Sequence, residues 1–156
     1  MKKDDMMDRA LDYLAFFVAC VPPRTSHHHK RIVRIGQFSR LADKPELVQA
    51  KATLDALLLP HQPLVPVFGP VRLDLEFTWP WRQSEPKRTR LLGRVPHTSK
   101  PDCSNVLKTL EDRLVALRFI GDDANVVEVT VRKWWGDEPG IRITITPLAQ
   151  AAQEVA

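Results

Sequence analysis

Residues 80–100 carry Arg82, Lys87, Arg88, Arg90, Arg94 and Lys100 against one acidic side chain, Glu85. The charge then changes sign, with Asp102, Glu111, Asp112, Asp122 and Asp123 following. Cations beside carboxylates suit metal-assisted cleavage of a phosphodiester. The cations hold phosphates, and the carboxylates hold a divalent ion that activates water and stabilises the leaving oxygen. Carboxylates in one site repel, and they stay ionised together only where cations offset the repulsion. Hard Mg2+ prefers oxygen ligands and suits such a set, with Mn2+ as the other candidate. On charge pattern alone, however, a solvated surface is the simpler account of these residues.

These residues need a scaffold. The 156 residues fit one domain, expected over 1–150 with 151–156 as a tail. Hydrophobic residues make up 44% and charged residues 27%, which excludes a disordered chain. The net charge of +4 favours a polyanionic partner without identifying it. Cys20 and Cys103 have no metal-type spacing and form no disulfide framework, so a reducing cytoplasm is the expected location. The apolar run Leu14 to Val21 is too short to span a bilayer, so no membrane partner is expected.

Tyr13 to Val21 reads as a strand ended by Pro22-Pro23, with helix as the alternative. A basic loop, 24–31, follows, and Ile32 to Ile35 resumes a strand. Asp43 is placed to cap a helix, with Glu46 completing a capping box. Leu47, Val48, Ala50, Leu54, Leu57 and Leu58 give that helix its apolar stripe, and it stops before Pro60. In 71–79, Val71, Leu73, Leu75, Phe77 and Trp79 alternate with polar residues, the pattern of a half-buried strand. Residues 80–100 read as one long loop, of the kind that often carries function.

Asp102 can cap a second helix reaching about Leu117, with Val106, Leu107, Leu110, Leu114 and Leu117 as its stripe. Asn105, Lys108 and Asp112 share a polar flank. A strand over 125–135 is expected to bury Val127, Val129 and Val131, and to form a hairpin with a strand over 141–146. The whole is an α/β or α+β domain, a mixed sheet with helices packed on it. By strand parity with Val127 and Val129, Asp123 leans inward and Asp122 becomes a turn residue.

The segment from His97 to Ile145 resembles the RusA family of Holliday junction resolvases, found widely in phages. Lys100-Pro101-Asp102-Cys103-Ser104-Asn105-Val106-Leu107-Lys108 is similar to the family's Lys-Pro-Asp-x-Asp-Asn-Leu-x-Lys motif. Glu111-Asp112-x-Leu114 and Gly121-Asp122-Asp123-x-x-Val126 follow in the expected places, and Lys133 and Pro139-Gly140 match the closing segment.

The resemblance implies a Mg2+-dependent nuclease acting on four-way DNA junctions as a homodimer. It implies that Asp102 and Asp123 belong to the catalytic carboxylates, that Lys108 assists cleavage, and that Asn105 supports the site. Asp122 and Ser104 complete the expected ligand set. Ser104 stands where the family has a second aspartate. A hydroxyl brings no charge, so Glu111, Asp112 or Asp122 would have to compensate.

Arg24, Lys30, Arg31, Lys87, Arg88, Arg90, Arg94, His97 and Lys100 are the expected DNA contacts. An inert loop explains His97 and His27-His28-His29 equally well. Trp79 and Trp135 read as core, leaving Trp81 and Trp134 to stack on bases. Two rival readings remain: a branched-DNA-binding protein whose cleavage is impaired by Ser104, and a protein with no DNA role whose charges merely face water.

Overall fold

The computed structural model describes residues 13–24 and 30–148. The expectations for His27-His28-His29 and for the tail concern residues outside these. The alternation of Val71 to Trp79 becomes β4 (Val71–Pro80), whose five apolar side chains are buried. It lies centrally in a five-stranded sheet. The other strands are β1 (Leu14–Ala19), β5 (Arg94–Pro96), β6 (Val126–Gly136) and β7 (Gly140–Pro147), in the order β1-β7-β4-β6-β5.

β6 runs parallel to β4, while β7 runs antiparallel to both β4 and β1. A parallel neighbour requires a long crossover. Here that crossover carries α2 (Lys87–Arg90) and α3 (Cys103–Ala116). The expected mixed sheet with packed helices is therefore the observed fold.

α1 (Pro45–Leu58) and α3 cover one face of the sheet. Leu47, Leu54 and Leu58 of α1 and Val106, Leu110 and Leu114 of α3 are buried. Leu54, Leu58 and the three α3 residues meet Leu73, Leu75, Phe77, Ile141, Ile143 and Ile145 in one core. Each such side chain contributes about 1.5–3 kcal/mol on burial. Arg113 of α3 donates to Asp55 of α1 at 3.1 Å, tying the helices together. α3 ends with Arg118 at φ 60, Arg118 N donating to Val115 O and Phe119 N to Leu114 O. This is a Schellman closure, and it turns Phe119 into the core beside Leu114.

Several expectations are corrected. β6 and β7 do not form a hairpin, because β4 lies between them. Crossing one strand means spanning about 10 Å. The short link Asp137–Pro139 reaches that far, and it rounds β4 where Pro80 ends it. The reward is that Ile141, Ile143 and Ile145 gain strands on both sides and become fully buried.

Val127 and Val129 are exposed rather than buried, Val127 at 60%. The β4–β6 register passes from Val71↔Val126 to Arg72↔Glu128, so Val127 is an extra, bulged residue, whereas Val129 pairs with Leu73 and is still left 43% exposed. The 80–100 loop contains α2 and β5. Residues 30–43 form a separate hairpin of β2 (Lys30–Ile35) and β3 (Phe38–Asp43), so Lys30 and Arg31 lie on a strand rather than in a loop. Asp43 closes β3 and does not cap α1. The cap position falls to Lys44, and Asp43 pairs with Lys51 at 2.6 Å.

Candidate active site

Two segments supply the acidic residues. The first is the head of α3, where Asp102 takes the cap position in extended conformation. Its carboxylate accepts no bond from the helix end and turns instead to Lys100, whose Nζ donates to it. That contact, helped by the charge of Lys133, holds the Asp102 carboxyl below the usual aspartate range. Lys133 of β6 donates to Ser99 O at 2.8 Å and to Pro101 O, fastening the approach to α3 onto the sheet.

The second segment is the turn after Gly121. Val67 N donates to Phe119 O at 2.9 Å and Gly121 N to Val67 O at 3.0 Å, so the Pro-rich connector pins this turn. A Cβ on Gly121 would lie 2.7 Å from Cδ1 of the exposed Phe68 ring, so a larger residue here would push that ring aside. Asp122 accepts from Ala124 N at 2.8 Å and is a turn residue. Asp123 sits in a single 3-10 turn rather than on a strand, half exposed. The parity argument for its direction therefore does not apply.

Lys108, further along α3 than Asp102, ties that helix to the turn at Asp123. Its Nζ lies 2.9 Å from Asp112 Oδ1, 3.2 Å from Asp123 Oδ2 and 3.7 Å from Glu111 Oε2. The hydrogen bond to Asp112, then that to Asp123, raises the Lys108 pKa well above its ordinary value. Lys108 in turn is the main reason that Asp123 stays below the aspartate range. Burial lifts the Glu111 carboxyl, and the nearby Asp123 and Asp112 lift it further. Carboxylates that repel one another are thus offset by one cation.

Ser104 is exposed and Asn105 half-buried on the first turn of α3. Asp102, Asp122 and Asp123 do not converge into a closed cage. Among the described residues, no group of three or more His, Cys, Asp or Glu side chains is placed to hold a metal ion. The donor chemistry still fits a hard cation. Mg2+ is commonly held by one or two carboxylates, with water and substrate phosphate completing its shell.

The expected DNA contacts separate. Arg24, Lys30, Arg31, Lys87, Arg88, Arg94 and Lys100 are exposed. Arg94 pairs with Glu76 at 3.5 Å and lies over the Trp134 ring at 4.4 Å, on the sheet face away from the helices. Arg90 is occupied with the loop itself, donating to Glu85 O and Arg82 O at 3.2 and 2.9 Å.

His97 does not face solvent. It is 3% exposed, with its ring stacked 4.0 Å from Trp135 and tilted 4.6 Å from Trp79. Burial lowers its pKa, so it is a neutral core side chain. Trp79 and Trp135 are buried, as expected, and Trp81 and Trp134 are half-buried. Sequence reasoning passed over Arg34 and Arg40 on the β2–β3 hairpin. Gly36-Gln37 between two β-rich runs was the signal that could have found them.

The family described as Endodeoxyribonuclease RusA matches residues 21–146. An uncharacterized protein, YqaN of Bacillus subtilis (strain 168), is 31% identical over 90 residues, covering 54% of this chain. The chain spans 63% of that relative's length.

Proposed function

The chain belongs to the RusA endodeoxyribonuclease family, and from that premise we propose that it resolves four-way DNA junctions as a homodimeric, metal-dependent endonuclease. The observation that carries this reading is the Lys108 cluster. It joins the acidic turn at Asp123 to α3, whose cap residue Asp102 pairs separately with Lys100.

Asp102 and Asp123 would hold the divalent ion, Mg2+ or Mn2+, with Asp122 and Ser104 as further oxygen donors. Such an ion supplies activation of water and charge stabilisation on a leaving oxygen. The chain's own residues do the rest. Lys108, held protonated by its carboxylates, offsets charge that develops on the phosphoryl oxygens. Lys100 and Lys108 keep Asp102 and Asp123 ionised. Lys30, Arg31, Lys87 and Arg88 hold DNA arms through phosphates. Cuts on opposed strands of a symmetric junction call for two sites related by a two-fold axis, hence a dimer.

Ser104 favours a second reading, a branched-DNA-binding protein with impaired cleavage. A labelled synthetic four-way junction with and without Mg2+ or Mn2+ separates the two. Wild-type protein should cut only with metal, and Asp102→Asn and Asp123→Asn should bind without cutting. Full cutting by both variants would remove the site assignment. Binding without cutting by the wild type would establish the second reading.

A further inference from the structure

The β2–β3 hairpin has no role in the cluster around Lys108. It forms its own two-stranded sheet, apart from the main one, and none of its residues is fully buried. An isolated hairpin of this kind is marginal by itself. Exposing apolar side chains on it does nothing for stability, so their presence points to something that covers them.

The register gives each face its content. Side chains directly opposite one another share a face. Ile32 faces Leu41, on the side of Lys30 and Arg34, while Ile35 faces Phe38, on the side of Arg31, Val33 and Arg40. Ile35 and Phe38 flank the turn Gly36-Gln37, where Gly36 has φ 62, a left-handed conformation suited to glycine. Phe38, at this tip, is 82% exposed, and Ile32 is 73% exposed.

The charges identify the occupant. Arg31, Arg34 and Arg40 make no salt bridge among the described residues, and the hairpin's one carboxylate, Asp43, is shared by Lys51 and Lys30. Cations therefore lie on both faces with an apolar tip between them. A second copy laid hairpin to hairpin would set these like charges against each other. Nucleic acid answers both features, with phosphates for the arginines and base faces for the ring. A two-stranded ribbon enters the major groove. Apolar wedges unstack base steps, and aromatic side chains stack on opened bases with little regard to sequence.

We propose that the β2–β3 hairpin is a DNA-probing arm, with Arg31, Arg34 and Arg40 on phosphates and Phe38 stacked on bases opened at a branch point. This rests on the DNA reading above and adds to it a basis for preferring branched over continuous duplex DNA. Branch-point bases are already partly unstacked, so the ring meets them at lower cost than bases within a duplex.

The test places 2-aminopurine at the branch point of a synthetic junction and measures fluorescence and binding without divalent metal. Wild-type protein should raise the fluorescence. Phe38→Ser should lose most of that rise and bind the junction about 5- to 100-fold more weakly, while duplex binding stays within about two-fold. Phe38→Trp should restore the junction affinity. Replacing Arg34 and Arg40 with Ala should reduce the salt dependence of log K by about 1 for each phosphate that is no longer neutralised.

Wild-type fluorescence and affinity in Phe38→Ser would overturn the proposal while leaving the nuclease reading intact. So would a loss of dimer mass in sedimentation with the fluorescence rise unchanged, which would assign the tip to an interface between copies. A wild-type protein that neither binds nor cuts junctions refutes the nuclease reading, and the proposal falls with it.

Discussion

Replacing Lys108 with Met keeps the length and apolar stem of the side chain and removes one charge. In the native site that charge lies 2.9 Å from Asp112, 3.2 Å from Asp123 and 3.7 Å from Glu111. The variant leaves these carboxylates facing one another without a cation. The Lys108–Asp112 pair is more than a third exposed on both sides, so its contribution to stability is screened and stays below about 1 kcal/mol.

Binding should suffer little as well. At most one phosphate goes without its cation, which flattens the salt slope of log K by about 0.9. Cleavage should fall far more, by about 100- to 1000-fold, the usual effect of removing one donor that stabilises charge in a transition state. The assay is single-turnover cutting of a labelled junction, run beside gel-shift binding at several salt concentrations and a urea titration. Cutting within about three-fold of wild type would refute the electrostatic role. So would a loss of binding as large as the loss of cutting, since Lys108 would then merely hold DNA.

The neutral, buried His97 makes stability depend on pH. Its folded pKa lies below its unfolded value, so the unfolded chain binds more protons between the two, and stability is lost as pH falls from about 6.5 through the lower folded value. His97→Gln should show a smaller drop in urea midpoint between pH 7 and pH 5 than wild type, with junction binding unchanged; equal drops would show that another group carries the acid sensitivity. In Gly140→Ala, the added Cβ would lie 2.2 Å from Phe17 Cζ and 2.6 Å from Val18 O, where β1 meets β7. A cost of about 1–3 kcal/mol is expected, lowering the melting temperature by several degrees, and an unchanged melting temperature would show that β1 moves aside freely.

Elements with a strong local period were legible in the amino-acid order. β4 alternates, and α3 repeats Val106, Leu110 and Leu114 on one side, because periods of two and 3.6 follow from backbone geometry alone. The acidic motif residues were legible too, since their spacing along the chain is itself the signal.

The sheet order was not legible. Local turn chemistry makes β6 and β7 look like a hairpin, and nothing near the turn reveals that β4 occupies the space between them. The direction of Asp123 was lost for a related reason. Parity assumed a regular strand, and the bulge at Val127 and the 3-10 turn at Asp123 broke it.

Residue types and spacing thus determined which side chains carry charge, which stripes seek the core and which family the chain resembles. Only the packed molecule decided which charges meet. Lys108 joins Asp123 to Glu111 and Asp112, Arg90 is spent on its own loop, and His97 is sealed between two tryptophans. Ion pairing and desolvation depend on distances of a few ångströms between segments far apart in the chain, and those distances exist only once the strands have chosen their neighbours.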